Sequence, residues 1–214
     1  MQQKSRHGEE YTEYMESINI AFFHVLNAGA GLAGLGLALP VFLAEYLIGI
    51  VPALLIILWF RDPSEPARVR LLGTFLSAML ALGVNQLIGL FYQHPRPFMV
   101  GLGHSYLQHV TDSSFPSDHV TVLFAVGLAL FLDRTTRWSG AVIMLAALPV
   151  AWARIYLGVH FPLDMAGALG TATLSVMLVR LSAQSVNTLA IRPILRCCTW
   201  VVRARSSACP PTNR

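Results

Sequence analysis

A chain of 214 residues is one domain in size, and this one is 55% hydrophobic with only 12% charged residues. A soluble domain carries about a quarter charged residues. The composition therefore argues against a soluble enzyme, a disordered chain or a disulfide scaffold, and for an integral membrane protein. The net charge of +4 is unevenly spread: Arg192, Arg196, Arg203, Arg205 and Arg214 all fall in the last 23 residues, beside Cys197, Cys198 and Cys209. An odd, clustered set of cysteines is no disulfide framework. A basic tail without an accompanying aromatic–basic surface points to the cytoplasm or to anionic lipid rather than to nucleic acid.

In chain order, the first 16 residues mix Lys4 and Arg6 with Glu9, Glu10, Glu13 and Glu16 and do not read as a secretory signal. Residues 18–39 are apolar enough to insert, yet they hold Asn19, His24, Asn27 and the glycines Gly29, Gly31, Gly34 and Gly36. They read as an interfacial amphipathic helix over 10–28 followed by a Gly-rich turn, the alternative being a sixth span. Five spans follow, since about 20 apolar residues cross a bilayer: Leu39–Phe60, Leu71–Gln93, Val120–Leu132, Ser139–Val159 and Phe161–Val179. Val120–Leu132 is too short alone and has to borrow the residues before it. The expected fold is an all-α integral membrane bundle of five helices, or six. Residues 1–38 form the N-terminal interfacial element, 39–183 the membrane domain and 184–214 a basic tail.

The loops orient this bundle. Arg61, Arg68 and Arg70, then Arg134 and Arg137, then Arg180 and the tail all fall on one side if the spans alternate. By the positive-inside rule that side is cytoplasmic, and residues 94–118 and 154–164 face outward.

The outward side is where the polar chemistry collects. Arg96 follows the second span, Ser117, Asp118 and His119 open the third, Arg154 lies near the end of the fourth, and His160 and Asp164 straddle the start of the fifth. Ionisable groups in a span cost about 2.5–3.5 kcal/mol on insertion scales, so they mark function by default. Taken singly each has an ordinary reading: Arg154 could snorkel, Ser117-Asp118 could cap a helix, and His160 with Asp164 could be a helix-start pair. Together, two arginines and a helix-start serine suit a phosphate. Two histidines supply a nucleophile and a proton donor, and a carboxylate four residues after His160 can hold one imidazole nitrogen and leave the other free. The chemistry expected is phosphoryl transfer through a phosphohistidine, with no metal and no other cofactor.

The strings Arg96-Pro97-Phe98, Ser114-Phe115-Pro116-Ser117-Asp118-His119 and 153–164 (ARIYLGVHFPLD) resemble the three-part signature of the type 2 phosphatidic acid phosphatase superfamily. The second part and the compact body are most similar to its bacitracin-resistance type of undecaprenyl diphosphatase. The resemblance implies His160 as nucleophile assisted by Asp164, His119 as acid for the leaving oxygen, and Arg96, Ser117 and Arg154 as phosphate ligands. It also implies a polyprenyl diphosphate substrate and an active site on the outer face of a bacterial inner membrane. Two departures stand out. Gly89 occupies the place of the family's lysine, for which Gln86, Gln93 or His94 could substitute, and Asp118 replaces a glycine.

Glu45, inside the first span, could pair with a site arginine or line the lipid entrance. His104 and His109 match no motif and read as solvated loop histidines, because their spacing from His94 and His119 fits no common zinc site. The competing functions are a phosphatase for phosphatidic acid or phosphatidylglycerol phosphate, a lipid phosphotransferase, and a small membrane transporter; the last explains the spans but not the order of the motifs.

Overall fold

The computed structural model describes residues 2–195. Of the tail, Arg196, Arg203, Arg205, Arg214 and the three cysteines lie outside the described residues. The described chain is all-helical: α1 (Gln2–Leu26), α2 (Gly34–Arg61), α3 (Glu65–Phe91), α4 (Asp118–Phe131), α5 (Arg137–Tyr156) and α6 (Pro162–Leu181). Helices α2, α3, α5 and α6 are long and apolar enough to cross a membrane; α4 is apolar but shorter. Residues 27–33 interrupt the helix between α1 and α2, so 18–39 do not form one continuous span. The first span instead begins at Gly34, five residues earlier than hydropathy alone suggests.

Helix α4 is the hub, packing against α3, α5 and α6. Its Val120, Leu123, Val126 and Leu130 are buried against Ile143, Ala147 and Val150 of α5 and Ala168, Ala172 and Val176 of α6. A Cβ on Gly140 would stand 2.2 Å from the backbone nitrogen of Phe131, so α4 and α5 cross almost backbone to backbone. With 14 residues α4 is about 21 Å long, against about 40 Å for the 27 residues of α3. Its N-terminus is therefore recessed within the bundle, and the polar residues that open it sit in a well. Only 11% of the most apolar stretch of α2 is buried, against 39% for α5 and α6, which makes α2 a peripheral helix with most of its surface toward lipid.

The arginine-rich loops gather at the opposite end. Arg70 lies 3.2 Å from Asp133 and 4.0 Å from Asp62, joining the loops that precede α3 and follow α4. Beyond α6 the chain stays helical through residue 195 and packs Ile191 back on α3.

Helix α1 docks across the other end, against α5 and α6. Phe23 is fully buried on Phe161, and Asn19 accepts from the Leu163 amide at the start of α6. Asn27 donates to the carbonyls of His104 and Tyr156 at 3.0 Å and accepts from the His104 amide at 2.8 Å. One asparagine thus ties α1, the 101–107 loop and the end of α5 together. Between α5 and α6 the chain turns at Gly158, whose φ is +80°. A Cβ there would meet the His104 carbonyl oxygen at 2.3 Å, so only glycine permits both the turn and the loop above it.

Candidate active site

The turn at Gly158 delivers His160 to the first residues of α6, where the backbone amides lack helical partners. Asp164 uses one oxygen, Oδ2, for three donors: the Phe161 amide at 2.8 Å, His160 Nδ1 at 3.0 Å and the Ser114 hydroxyl. Its Oδ1 is buried without a partner among the described residues. Both side chains are almost wholly buried. Because the carboxylate accepts from Nδ1, the ring carries its proton there and its lone pair on Nε2. Burial, with help from the nearby arginines, holds the His160 imidazole below its ordinary pKa although Asp164 pulls the other way. The ring is neutral at neutral pH and its nucleophilic nitrogen is aimed outward.

What faces that nitrogen is Arg96. Its Nη1 donates to His160 Nε2 at 3.1 Å and to the Val159 carbonyl at 3.0 Å, its Nη2 donates to the Ser113 carbonyl at 3.2 Å, and its Nε donates to Asp112 at 2.8 Å. The 94–114 segment that carries it is fixed by the Ser114 amide bonding to the His94 carbonyl at 2.8 Å.

Arg154, the last basic residue of α5, is 1% exposed. Its Nη1 donates to Glu45 at 3.1 Å and to the Ala44 carbonyl at 3.3 Å, while its Nε has no partner among the described residues. Both acceptors belong to a π-helical turn, Phe42–Tyr46, set into α2. A π-turn frees a backbone carbonyl from the helical ladder and is often found at functional sites. Here it presents Ala44 and Glu45 to one edge of the guanidinium and leaves the other edge free.

These groups line one cavity of about 450 Å³, whose walls include Arg96, His119, Arg154 and His160. Asp164 sits immediately behind the wall, and Ser117 lies between the lining residues Pro116 and Asp118. Ser117 occupies the N-cap position of α4, yet its hydroxyl makes no capping bond and is buried without a partner. Asp118 does not cap either: it accepts from Asn85 at 2.8 Å and from Gln86 at 3.1 Å. The buried Asn85 also donates to Thr121 at 2.9 Å, so with the exposed Gln86 it fixes the start of α4 from α3. Asn85 went unnoticed in the sequence, although a buried asparagine within a span was itself a signal.

Gly89 lines the cavity, and a Cβ there would meet only Ser113, at an ordinary 3.6 Å. Of the three residues considered as stand-ins for a lysine, Gln86 is committed to Asp118, His94 lies 3.3 Å from Glu16 of α1, and Gln93 lines the cavity. His109 is not the solvated loop residue that its sequence context suggested. It lines the same cavity with its ring 6.4 Å from that of His160. His104 is exposed, as expected of a loop residue. Among the described residues, no three His, Cys, Asp or Glu side chains are placed to hold a metal ion.

Comparison with known proteins gives the chain's family. The model of the PAP2 superfamily matches residues 70–188. The chain belongs to the PAP2 superfamily. Relatives extend the PAP2 match over most of its length. YbjG of Escherichia coli (strain K12) is 38% identical over 172 residues, 80% of this chain and 84% of YbjG. Undecaprenyl-diphosphatase BcrC of Bacillus subtilis (strain 168) is 33% identical over 136 residues, 63% of this chain and 68% of BcrC. Among solved structures, Aquifex aeolicus LpxE shares the PAP2 fold with a TM-score of 0.60 at 24% identity, covering 76% of this chain and 94% of LpxE.

Proposed function

We propose that this protein is a membrane phosphatase that removes the terminal phosphate of undecaprenyl diphosphate and leaves undecaprenyl phosphate. The observation that carries the reading is His160 in the cavity wall, backed by the buried Asp164 and with its free nitrogen turned toward an arginine. The likeness to BcrC over two thirds of that protein supports the substrate. His160 Nε2 attacks the outer phosphorus, forming an N–P bond as the bridging P–O bond breaks, and His119 gives the departing lipid phosphate its proton. Water then attacks the phosphohistidine, loses a proton to His119 and leaves as orthophosphate with the histidine restored. Arg96 exchanges its bond to Nε2 for a phosphate oxygen. The unpartnered Nε of Arg154 and hydroxyl of Ser117 supply further donors for the charge that builds in the transition state.

Glu45 acts behind Arg154 rather than on the substrate: it does not line the cavity, and with the Ala44 carbonyl it fixes the angle of the guanidinium. The reaction needs no metal. The site faces the outside of a bacterial cytoplasmic membrane, because the arginine-rich loops lie at the far end of the bundle. There a carrier spent on cell-wall building is returned to use. The residues before Gly34 hold α1 in the outer interface, the helices from Gly34 to Leu181 form the catalytic bundle, and the arginine-bearing segment after them forms a basic cytoplasmic tail.

The test is a comparison of rates for undecaprenyl diphosphate, phosphatidic acid and phosphatidylglycerol phosphate, each with and without EDTA. The expected result is fastest phosphate release from the diphosphate, unchanged by EDTA. A wide margin in favour of either monophosphate lipid overturns the substrate, and an EDTA-sensitive rate restored by magnesium overturns the metal-free mechanism.

A further inference from the structure

A diphosphate brings two phosphates into the cavity, and the groups assigned so far serve only the outer one. Each arginine already faces a carboxylate, Asp112 for Arg96 and Glu45 for Arg154. Most other polar side chains on the wall are committed as well: Asn85 and Gln86 to Asp118, and His94 to Glu16. The inner phosphate therefore needs a donor that can answer its charge.

His109 meets that need. Its Nδ1 lies 3.2 Å from the Val110 carbonyl and 3.7 Å from Asp112, both of which can only accept a proton, so Nδ1 holds one and Nε2 is the free nitrogen. The side chain is 22% exposed and stands on the wall shared with Arg96 and His160. Its ring centroid is 6.4 Å from that of His160, edge to face, so the two rings border the same space. Asp112 bonds Arg96 and approaches His109, so one carboxylate keeps the two cavity groups in register.

We propose that His109 determines specificity for a diphosphate over a monophosphate lipid, its Nε2 donating to the inner, lipid-linked phosphate while the outer one lies against His160. This rests on the diphosphate reading of the substrate. Burial and the charge of Arg96 hold the His109 imidazole below its ordinary pKa. An arriving anion reverses that balance and lets Nε2 take the proton it donates.

The experiment measures kcat/KM of the full-length detergent-solubilised enzyme and its His109→Ala and His109→Gln variants on undecaprenyl diphosphate and on phosphatidic acid. Loss of one charge-assisted hydrogen bond is expected to cost His109→Ala about tenfold to a hundredfold on the diphosphate. On phosphatidic acid, which has no inner phosphate, the variant should lose at least about fivefold less than it loses on the diphosphate. An unfolding temperature in detergent close to the parent's is the check on folding. His109→Gln, which keeps a neutral donor, should fall between parent and alanine on the diphosphate alone. Equal losses on both lipids, or no loss on either, overturn the role of His109. A parent enzyme without activity on the diphosphate overturns the substrate reading first, and the specificity role with it.

Discussion

Replacing His160 with alanine is expected to lower phosphate release by at least about 10⁴-fold, the scale seen when a covalent nucleophile is removed. No other imidazole can take its place. His94 is turned to Glu16, His109 is held by the Val110 carbonyl, and His119 has no carboxylate beneath it comparable to Asp164. The substitution leaves Asp164 with two of its three donors, the Phe161 amide and the Ser114 hydroxyl, so the helix start keeps its cap. A second variant separates chemistry from folding. In His160→Asn the side-chain amide can donate to Asp164 in place of Nδ1, but it offers no nucleophile. It should be as inactive as His160→Ala while unfolding at a temperature close to the parent's in detergent. Activity within tenfold of the parent in either variant removes His160 from the reaction.

The next largest effect is expected at Arg154. Losing one preorganised donor to a transition-state oxyanion costs about 10²–10³-fold in turnover, and Arg154→Lys should fall in that range despite keeping the charge. A lysine has a single donating nitrogen. It can either satisfy Ala44 and Glu45 behind it or reach forward to the phosphate, whereas the guanidinium does both from opposite edges. Glu45 offers a graded comparison. Glu45→Gln keeps an acceptor for Nη1 and should lose only a few-fold, on the order of one weakened charge-assisted hydrogen bond. Glu45→Ala frees the guanidinium to rotate and should reduce kcat by about tenfold or more with little change in KM, because the misplacement matters most where the transition-state charge develops. A purely structural role for Glu45 predicts instead equal loss of stability in both variants with kcat of the folded fraction unchanged.

Much of this site was legible in the sequence because it is written in local strings. Hydropathy located the four long spans and the short fourth helix, and the alternation of arginine-rich and arginine-poor loops put 96, 119, 154 and 160 at one end. The i,i+4 spacing of His160 and Asp164 is a local geometry that a helix start enforces. What stayed hidden depends on contacts between distant segments. Glu45 was legible as a partner for a site arginine, but the π-turn at 42–46 that aims it and the Ala44 carbonyl at Arg154, about 110 positions away, leaves no mark on an apolar run. Asn27 reaches Tyr156 across 129 residues, and nothing in a Gly-rich turn announces that it anchors a loop. Asp118 read as a helix cap because capping is a local habit of aspartate, but Asn85 and Gln86 of α3 claim it instead. His109 looked solvated because it sits in a loop and matches no motif; only its contact with Asp112 and the ring of His160 places it on the cavity wall.

The central claim is that a phosphoryl group passes first to His160 and then to water. The stereochemical course at the outer phosphorus tests it without requiring the intermediate to accumulate. With a polyprenyl diphosphate whose terminal phosphorothioate is made chiral by oxygen isotopes, hydrolysed in isotopically labelled water, two successive in-line displacements yield thiophosphate with net retention of configuration. Retention is the predicted result. Net inversion would mean that water attacks directly, and would contradict the account.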